Sequence, residues 1–289
     1  MLYVIVNPTA GSGRAKKLMP QIESHLKEKG LSYMIKETSC RGDATRLAGD
    51  AVDMGAETVL SVGGDGTAYE VACALNGTRT ALGIIPAGTG NDFIKTLGTP
   101  GDPMKALDHV LASPARPTDT GLLGDQLFLN EIGTGFDAEA LRVATRAKKY
   151  CRGLLPYLIG VISAIFTFKP VPITYQADDG ETFTTEAMVV GVANGGIIGG
   201  GIPVAPEASV DDGLFDVIVV SKANKFRLIC LLPGLLMGKI LTFPETKFFR
   251  ARKVKFSTPG TMLLNIDGEL KYMDSVSLSV SPGTLLVHR

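Results

Sequence analysis

Residues 58 to 75, TVLSVGGDGTAYEVACAL, run an apolar, β-branched stretch into the pentad Gly63-Gly64-Asp65-Gly66-Thr67 and follow it with a helical pattern. Glycines let the backbone turn sharply and bring several N–H groups onto one anion, and the start of the next helix adds partial positive charge. Asp65 does not fit that task alone, because a bare carboxylate beside a polyphosphate is repelled. A cation between them, or a hydroxyl that gives its proton to Asp65, removes the conflict, so the pentad points to metal-dependent phosphoryl transfer.

Two more loops share this chemistry. Pro86-Ala87-Gly88-Thr89-Gly90-Asn91-Asp92 repeats the design after the next apolar run, with Thr89 able to donate a hydroxyl and Gly88 and Gly90 permitting close approach. Asn91 or Asp92 could equally be the N-cap of a helix beginning near Phe93. Asn7-Pro8-Thr9-Ala10-Gly11-Ser12-Gly13-Arg14 follows the first apolar run. It lacks the Gly-Lys-Ser/Thr ending of a Walker loop, and Lys16 stands where a dinucleotide fingerprint needs its third glycine. Each loop alone reads as a turn or a cap. Three of them at the carboxyl ends of neighbouring parallel strands read as an anion crevice.

The second half offers more acids. Asn130-Glu131-Ile132-Gly133-Thr134-Gly135-Phe136-Asp137 sets two acids and an amide around two glycines. The glycine-dense stretch from Gly191 to Gly213 contains Asp211 and Asp212, which are turn formers or ligands for Mg²⁺, an ion that needs only one or two carboxylates. Asn265-Ile266-Asp267-Gly268-Glu269 crosses an Asp-Gly pair that predicts a hairpin, and Glu269 just beyond it could act as a general base. Asp-Gly pairs at 179–180 and 212–213 also predict hairpins. The histidines are poor catalytic candidates: His25 and His109 fall in helical patterns away from the loops, and His288 is next to the last residue, where chains tend to be mobile.

The elements that must position these groups follow from periodicity. Over the first 120 or so residues, short apolar runs alternate with helical patterns: LYVIV, SYMIKET, TVLSV and ALGII as strands, with helices through His25, from Asp43 to Met54, after the pentad, and over FIKTL. Such repeats predict a Rossmann-like α/β domain with a parallel sheet covered by helices. Prolines and small polar residues at 112 to 121 predict a junction, giving domains 1–120 and 121–289. The second predicts a mainly antiparallel β domain with helical insertions at the apolar stretches 154–168 and 228–243. Both stretches are shorter than the roughly 20 apolar residues of a spanning helix. They read as buried helices or as a greasy rim that admits a lipid.

In 289 residues, 29 Lys and Arg balance 29 Asp and Glu, so no global field recruits nucleic acid. Cys40, Cys73, Cys151 and Cys230 have neither metal-ligand nor dense disulfide spacing, and the sequence opens directly on a strand without a signal-peptide pattern. The expectation is free thiols in a cytoplasmic protein.

The ordered set NPTAGSG, GGDGT, PAGTGND, LNEIGTGFD, SVDDGLFDV and NIDGE resembles the soluble diacylglycerol kinase family of lipid kinases, which includes sphingosine kinase-like enzymes. The resemblance covers nearly the whole chain; GGDGT alone is shared with NAD kinases. It implies a nucleotide-binding domain followed by a β-rich lipid-substrate and metal-binding domain, with ATP in the cleft between them. By this likeness Asn7, Pro8, Thr9, Ala10, Gly11, Thr38, Gly63, Gly64, Asp65, Gly66, Thr67, Ala68, Tyr69 and Thr89 contact ATP, and Asp65 and Asp92 organise catalytic Mg²⁺. A second, structural Mg²⁺ falls to the Asp212 carboxylate and the carbonyls of Ser209 and Leu214. Glu269 is the implied proton acceptor with Asp267 beside it, although the residues alone leave the base open among Asp65, Asp267 and Glu269. The implied reaction moves the γ-phosphate of ATP to a lipid hydroxyl, foremost that of diacylglycerol, at a membrane reached peripherally. A homodimer is left open. NAD kinase and a non-catalytic nucleotide-binding protein are the rival readings.

Overall fold

The computed structural model describes residues 1–147, 150–151 and 155–289, and they divide into two compact units, Met1–Asp119 with Pro282–Arg289, and Thr120–Ser281. In chain order the first unit runs β1 (Leu2–Val6), α1 (Ala10–Glu28), β2 (Tyr33–Glu37), α2 (Asp43–Asp53), β3 (Thr58–Gly63), α3 (Asp65–Leu75), β4 (Ala81–Pro86), α4 (Asp92–Thr96) and α5 (Pro103–Ala112). Next come β5 (Ala115–Leu123), β6 (Gln126–Phe128), β7 (Glu131–Gly135), α6 (Phe136–Ala147), α7 (Leu155–Thr167), β8 (Val171–Ala177) and β9 (Thr182–Ala193). The chain ends with β10 (Ile197–Ile198), β11 (Ile202–Pro203), β12 (Phe215–Ser221), α8 (Lys225–Leu236), β13 (Thr246–Ala251), β14 (Lys253–Ile266) and β15 (Glu269–His288).

In the first unit β4, β3, β1 and β2 lie side by side and parallel, with Val4 paired to Ile35 and Leu60, and Leu60 to Gly83. Every residue of β3 and β4 is buried, as a parallel sheet covered on both faces requires. Val4, Val6, Leu60, Val62 and Ile85 pack with Ala15, Ile22 and Leu26 of α1 and Leu107 and Val110 of α5. Each large side chain so buried stabilises the unit by about 1.5–3 kcal/mol relative to exposure. The last residues return to this sheet, with Val287 beside Leu82 in parallel. His288 is therefore fixed rather than mobile: Nδ1 lies 2.8 Å from the Ser113 carbonyl oxygen and Nε2 3.0 Å from Thr58 Oγ1.

The second unit is mainly antiparallel, with strand order β13-β12-β9-β7-β14-β15. Its central feature is one slot filled by two strands. Long strands β9 and β14 flank β7 at one end (Glu131↔Ala193, Ile266↔Ile132) and β8 at the other (Val171↔Ala187, Val254↔Ala177). The chain leaves the slot at Gly135, makes α6 and α7, and re-enters at Val171, so the helices are an insertion into what would otherwise be one strand. Phe128, Phe215, Val217, Val190, Val192 and Leu264 centre the core of this unit.

Several sequence expectations are amended. The stretch 112–121 is no open linker, since from Ala115 onward it is strand β5 and the units divide within it. KVKFST and TMLLNI belong to one strand, β14, whose register slips between Ser257 and Met262 at Pro259-Gly260. Asp212-Gly213 is not a hairpin tip, because the strand before it, β11, pairs with β10 rather than with β12. Of the apolar stretches, Leu154 lies outside the described residues; 155–167 forms α7, and 228–243 forms most of α8 and a short 3₁₀ turn at Ile240–Thr242. Among the described residues no helix is long and apolar enough to cross a membrane. None of the four cysteines is in a disulfide.

Candidate active site

In the first unit all four strand-to-helix loops open from the same sheet edge, and three of them touch through glycine. A Cβ on Gly11 would stand 2.0 Å from the Ala87 carbonyl oxygen, and one on Gly88 would stand 2.5 Å from the Gly64 Cα. The Ala87 and Gly88 N–H groups both donate to the Gly63 carbonyl, at 2.7 and 3.0 Å. No side chain other than hydrogen fits at these crossings, so the backbones of the three loops form one surface. Gly11, Ser12 and Gly13 all have positive φ (58°, 57° and 87°), so a left-handed turn precedes the regular part of α1. Ser12 is the costly member, since a non-glycine residue rarely adopts this conformation without a constraint.

Side chains lock the loops further. Asn7 Nδ2 donates to Thr67 Oγ1 at 3.1 Å, and Asn7 Oδ1 accepts from the Thr9 N–H and hydroxyl at 3.1 and 2.8 Å. Thr67 is buried beneath Gly63, and Ala68 is buried too, so Ala68 can meet a ligand only by its backbone. Gly66 and Thr89 are exposed, and Tyr69 and Pro8 are half-buried. The Thr38 N–H donates to the Val6 carbonyl at 2.9 Å, which sets Thr38 at the end of β2 beside the Asn7 loop. Glu70, which sequence reasoning passed over, accepts from the Gly42 and Ala44 N–H groups at 2.9 and 3.2 Å. It supplies the cap that α2 lacks, because Gly42 at its N-terminus has no side chain to offer.

The two carboxylates of this unit converge on Gly90, where a Cβ would lie 3.0 Å from Asp65 Oδ2 and 3.7 Å from Asp92 Oδ2. Burial, then the charge of Asp92, push the Asp65 carboxyl above its usual range, against the N–H groups of Phe93, Asn91 and Asp92 that favour its ionised form. Asp92 has Lys95 Nζ at 3.2 Å as one counter-charge. Two oxygen-bearing acids that repel each other beside a surface of backbone N–H groups fit a hard divalent cation, and Mg²⁺ is commonly held by one or two carboxylates with the remaining ligands from water and phosphate.

In the second unit Asp267 and Gly268, with φ of 48° and 87°, form the two-residue turn between β14 and β15. Left-handed conformation at both positions suits an Asp-Gly pair, so this hairpin follows from local sequence. The Asp267 carboxylate accepts three backbone N–H groups, from Leu129 at 2.6 Å, Asn130 at 2.8 Å and Glu131 at 2.9 Å. Asn265 holds the turn from the other side: its Oδ1 accepts from the Gly268 N–H at 2.9 Å, while Nδ2 donates to Glu131 Oε1 at 3.0 Å and Asp137 Oδ2 at 3.4 Å. Asp137 is wedged under Gly133, whose Cβ would stand 2.1 Å from Oδ2, and its Oδ1 is buried without a hydrogen-bond partner. Burial pushes the Asp137 carboxyl up to about 6. Glu269 projects from this framework and is exposed.

At the turn expected to hold a structural ion, Asp212 has a protein cation nearby. Arg250 Nε donates to Asp216 Oδ1 at 2.8 Å, and its Nη1 lies 3.7 Å from Asp212 Oδ2. Asp212 Oδ1 also accepts the Leu214 N–H at 3.0 Å, and Ser209 donates its hydroxyl to Asp211. Burial raises the Asp216 carboxyl despite Arg250. Among the described residues no three acidic, histidine or cysteine side chains gather as a metal cluster. A cavity of about 440 Å³ opens where β7 leaves and β8 re-enters the slot, lined by Gly135, Phe168, Val171, Pro172, Met262 and Leu263 among others.

Residues 1–123 match the diacylglycerol kinase catalytic domain, and residues 130–289 match the YegS C-terminal NAD kinase beta sandwich-like domain. A diacylglycerol kinase of Bacillus subtilis strain 168 is 33% identical over 269 residues, covering 92% of this chain and 88% of the relative. A YegS-like lipid kinase of Chromohalobacter salexigens is 32% identical, covering 90% and 85%. Among solved structures, a Bacillus anthracis protein described as a diacylglycerol kinase superimposes with a TM-score of 0.83 at 26% identity, over 99% of this chain and 96% of that one.

Proposed function

Because the chain belongs to the diacylglycerol kinase and YegS-like family of ATP-dependent lipid kinases, we propose that it phosphorylates diacylglycerol to phosphatidic acid with a Mg²⁺-dependent, Rossmann-like nucleotide site in its first unit. The observation that carries this reading is the joined surface of three glycine loops with the Asp65–Asp92 pair beside it. The N–H groups of Gly11 and Gly64 and the left-handed turn at Gly11–Gly13 face the phosphates, and Thr38, Tyr69 and Thr89 flank the nucleotide. Asp65 and Asp92 hold the cation, which when bound neutralises the developing charge on the transferred phosphoryl group.

Three carboxylates that look equivalent in sequence take different tasks. Asp65 takes the part of a ligand, because its carboxylate converges with that of Asp92 on Gly90, where burial and then the charge of Asp92 disfavour the ionised form in the absence of a cation. Asp267 orients the turn through its three N–H partners. Glu269, exposed at the hairpin, accepts the proton of the lipid hydroxyl as its oxygen attacks the γ-phosphorus of ATP and ADP departs. The apolar cavity at the strand break takes acyl chain. A structural ion at Ser209, Asp212 and Leu214 would compete with Arg250, and no step is assigned to it.

Transfer of labelled phosphate from ATP to diacylglycerol in detergent mixed micelles, with NAD as a parallel acceptor, tests the reading. Labelled phosphatidic acid is expected, with loss of product in Glu269→Gln and on chelation of Mg²⁺. Label in NADP with none in lipid, or ATP binding without turnover on any lipid alcohol, would overturn it.

A further inference from the structure

Helix α7 is built inside out. Its buried residues are the small Pro156, Gly160 and Ala164 with one large residue, Ile165, and a Cβ on Gly160 would stand 2.2 Å from the Ala140 carbonyl oxygen, so this stripe lies against α6. Its large residues Leu155, Leu158, Ile159, Ile162 and Phe166 are 40–57% exposed. At about 100° per residue these five fall within roughly a third of the helix circumference, a single stripe rather than scatter.

Helix α8 repeats the pattern. None of its side chains is buried, and Phe226, Ile229 and Leu236, with Met237 just after the helix, are 47–77% exposed. Their spacing of three, seven and one residues again keeps them on one side. The two helices touch, and Lys225 Nζ donates to the Phe166 carbonyl at 2.9 Å, which joins the start of α8 to the end of α7.

Charge selects the occupant. Residues 155–169 and 221–243 contain Lys169, Lys222, Lys225, Arg227 and Lys239 and no acid at all. Glu186 and Glu245 balance Lys222 and Arg227 from outside the two segments, and among the described residues Lys169, Lys225 and Lys239 form no ion pair. A second copy of this face would bring like charges together, whereas anionic headgroups complement them. The helices, of 13 and 12 residues, are too short to span the roughly 20-residue thickness of a bilayer. Large apolar residues backed by lysine are the composition of helices that lie in the interface.

We propose that the outward stripes of α7 and α8 dock the protein on an anionic lipid bilayer, with both helices lying in the headgroup layer. This rests on the reading that the acceptor is a membrane lipid, and it names the surface through which that lipid is reached.

The test is flotation with vesicles of phosphatidylcholine alone and with one quarter phosphatidylglycerol, using wild type and the exposed-site variants Ile162→Ser, Phe226→Ser and Lys225→Gln. Phosphate transfer to a dispersed short-chain diacylglycerol, which needs no vesicle, is followed in the same preparations. Wild type is expected to float with the anionic vesicles and less with the neutral ones. Each serine variant should lower the partition coefficient about tenfold or more, and transfer to the dispersed substrate should not change. Wild type that phosphorylates the dispersed substrate but leaves vesicles unbound would overturn the docking face, as would serine variants that float like wild type. A wild-type dimer that these substitutions dissolve would assign the face to a second copy and overturn it equally. Vesicle binding that depends on Ile162 and Phe226 in a protein that phosphorylates no lipid would sustain the docking face and remove the acceptor assignment.

Discussion

Substituting Asp267 separates an orienting carboxylate from a chemical one. Its two oxygens accept three backbone N–H groups at 2.6, 2.8 and 2.9 Å, and Oδ1 takes two of them. Asp267→Asn keeps the turn, because asparagine tolerates the left-handed φ of 48°, and keeps one oxygen for Asn130 and Glu131. It places an NH₂ group against the Leu129 N–H, so one charge-assisted bond is lost, each such bond contributing about 1.5–3 kcal/mol. Asp267→Ala loses all three bonds and adds the left-handed cost of about 1 kcal/mol or more, which brings the expected loss to about 5–10 kcal/mol. That is comparable to the whole stability of many domains, about 5–15 kcal/mol. Urea unfolding and steady-state transfer should be measured on the same preparations. Asp267→Asn is expected to lose about 2–3 kcal/mol of stability with a less than tenfold drop in kcat, whereas Glu269→Gln keeps its stability and loses about 10²–10⁴ in kcat. Unchanged unfolding together with a loss of 10² or more for Asp267→Asn would refute the assignment and make Asp267 the base.

Three further outcomes follow from other parts of the structure. The Asp137 carboxyl is raised to about 6, so between about pH 4 and 6 the folded state keeps a proton that the unfolded chain has released. Its contribution is complete below about pH 4 and is lost as pH rises through 6, by up to about 3 kcal/mol. Asp137→Asn should remove that slope, read as the difference between the two proteins' urea midpoints at pH 4 to 7. Arg250→Met leaves the 4%-exposed Asp216 without its guanidinium, and because Arg250 itself is partly solvated the expected loss is about 2 kcal/mol. Asp216→Asn in that background should restore most of it, as seen in the thermal midpoint. Gly88→Ala drives a methyl to 2.5 Å from the Gly64 Cα, so KM for ATP should rise more than tenfold with about 1–3 kcal/mol of destabilisation, measured by initial rates and urea unfolding.

The parts of the fold that were legible in the sequence are those where a local rule decides. Alternation of apolar runs with helical patterns gave β1 to β4 and their helices, and Asp267-Gly268 announced its own turn. Asp212-Gly213 misled because the dipeptide fixes a turn and not the partner of the strand behind it. Glu70, Asp216 and Arg250 gave no signal, since they act on atoms 28 and 34 residues away, Glu70 on Gly42 and Arg250 Nε on Asp216. Asn265, Glu131 and Asp137 sat in conspicuous motifs, yet only the fold brings Glu131 and Asp137 onto the Asn265 amide that also holds the Asp267-Gly268 turn. Helix α7 was ambiguous for a physical reason: burial and exposure to lipid select the same residue types, and only the position of Gly160 against α6 tells which side faces out.

The slot shared by β7 and β8 gives the second unit its functional logic. Because both strands pair with β9 and β14, the excursion through α6 and α7 interrupts the hydrogen-bonded ladder only at its midpoint, around Met188 and the register slip of β14. The apolar cavity sits at this interruption, lined by the residues at which the chain leaves and returns, Gly135 and Val171, and by Phe168 just after α7. At its other end β7 begins with Glu131, whose N–H and carboxylate hold Asp267 and Asn265. Five residues of extended chain, Glu131 to Gly135, therefore connect the Glu269 hairpin to the cavity, a span of about 13–17 Å at 3.3 Å per residue. That length is what an acyl chain requires if its ester end lies at the hairpin and its tail at the root of α7. Shortening the acceptor's chains until they no longer reach the cavity should then raise KM while leaving kcat for the bound lipid nearly unchanged; an equal fall in kcat would place the tail elsewhere.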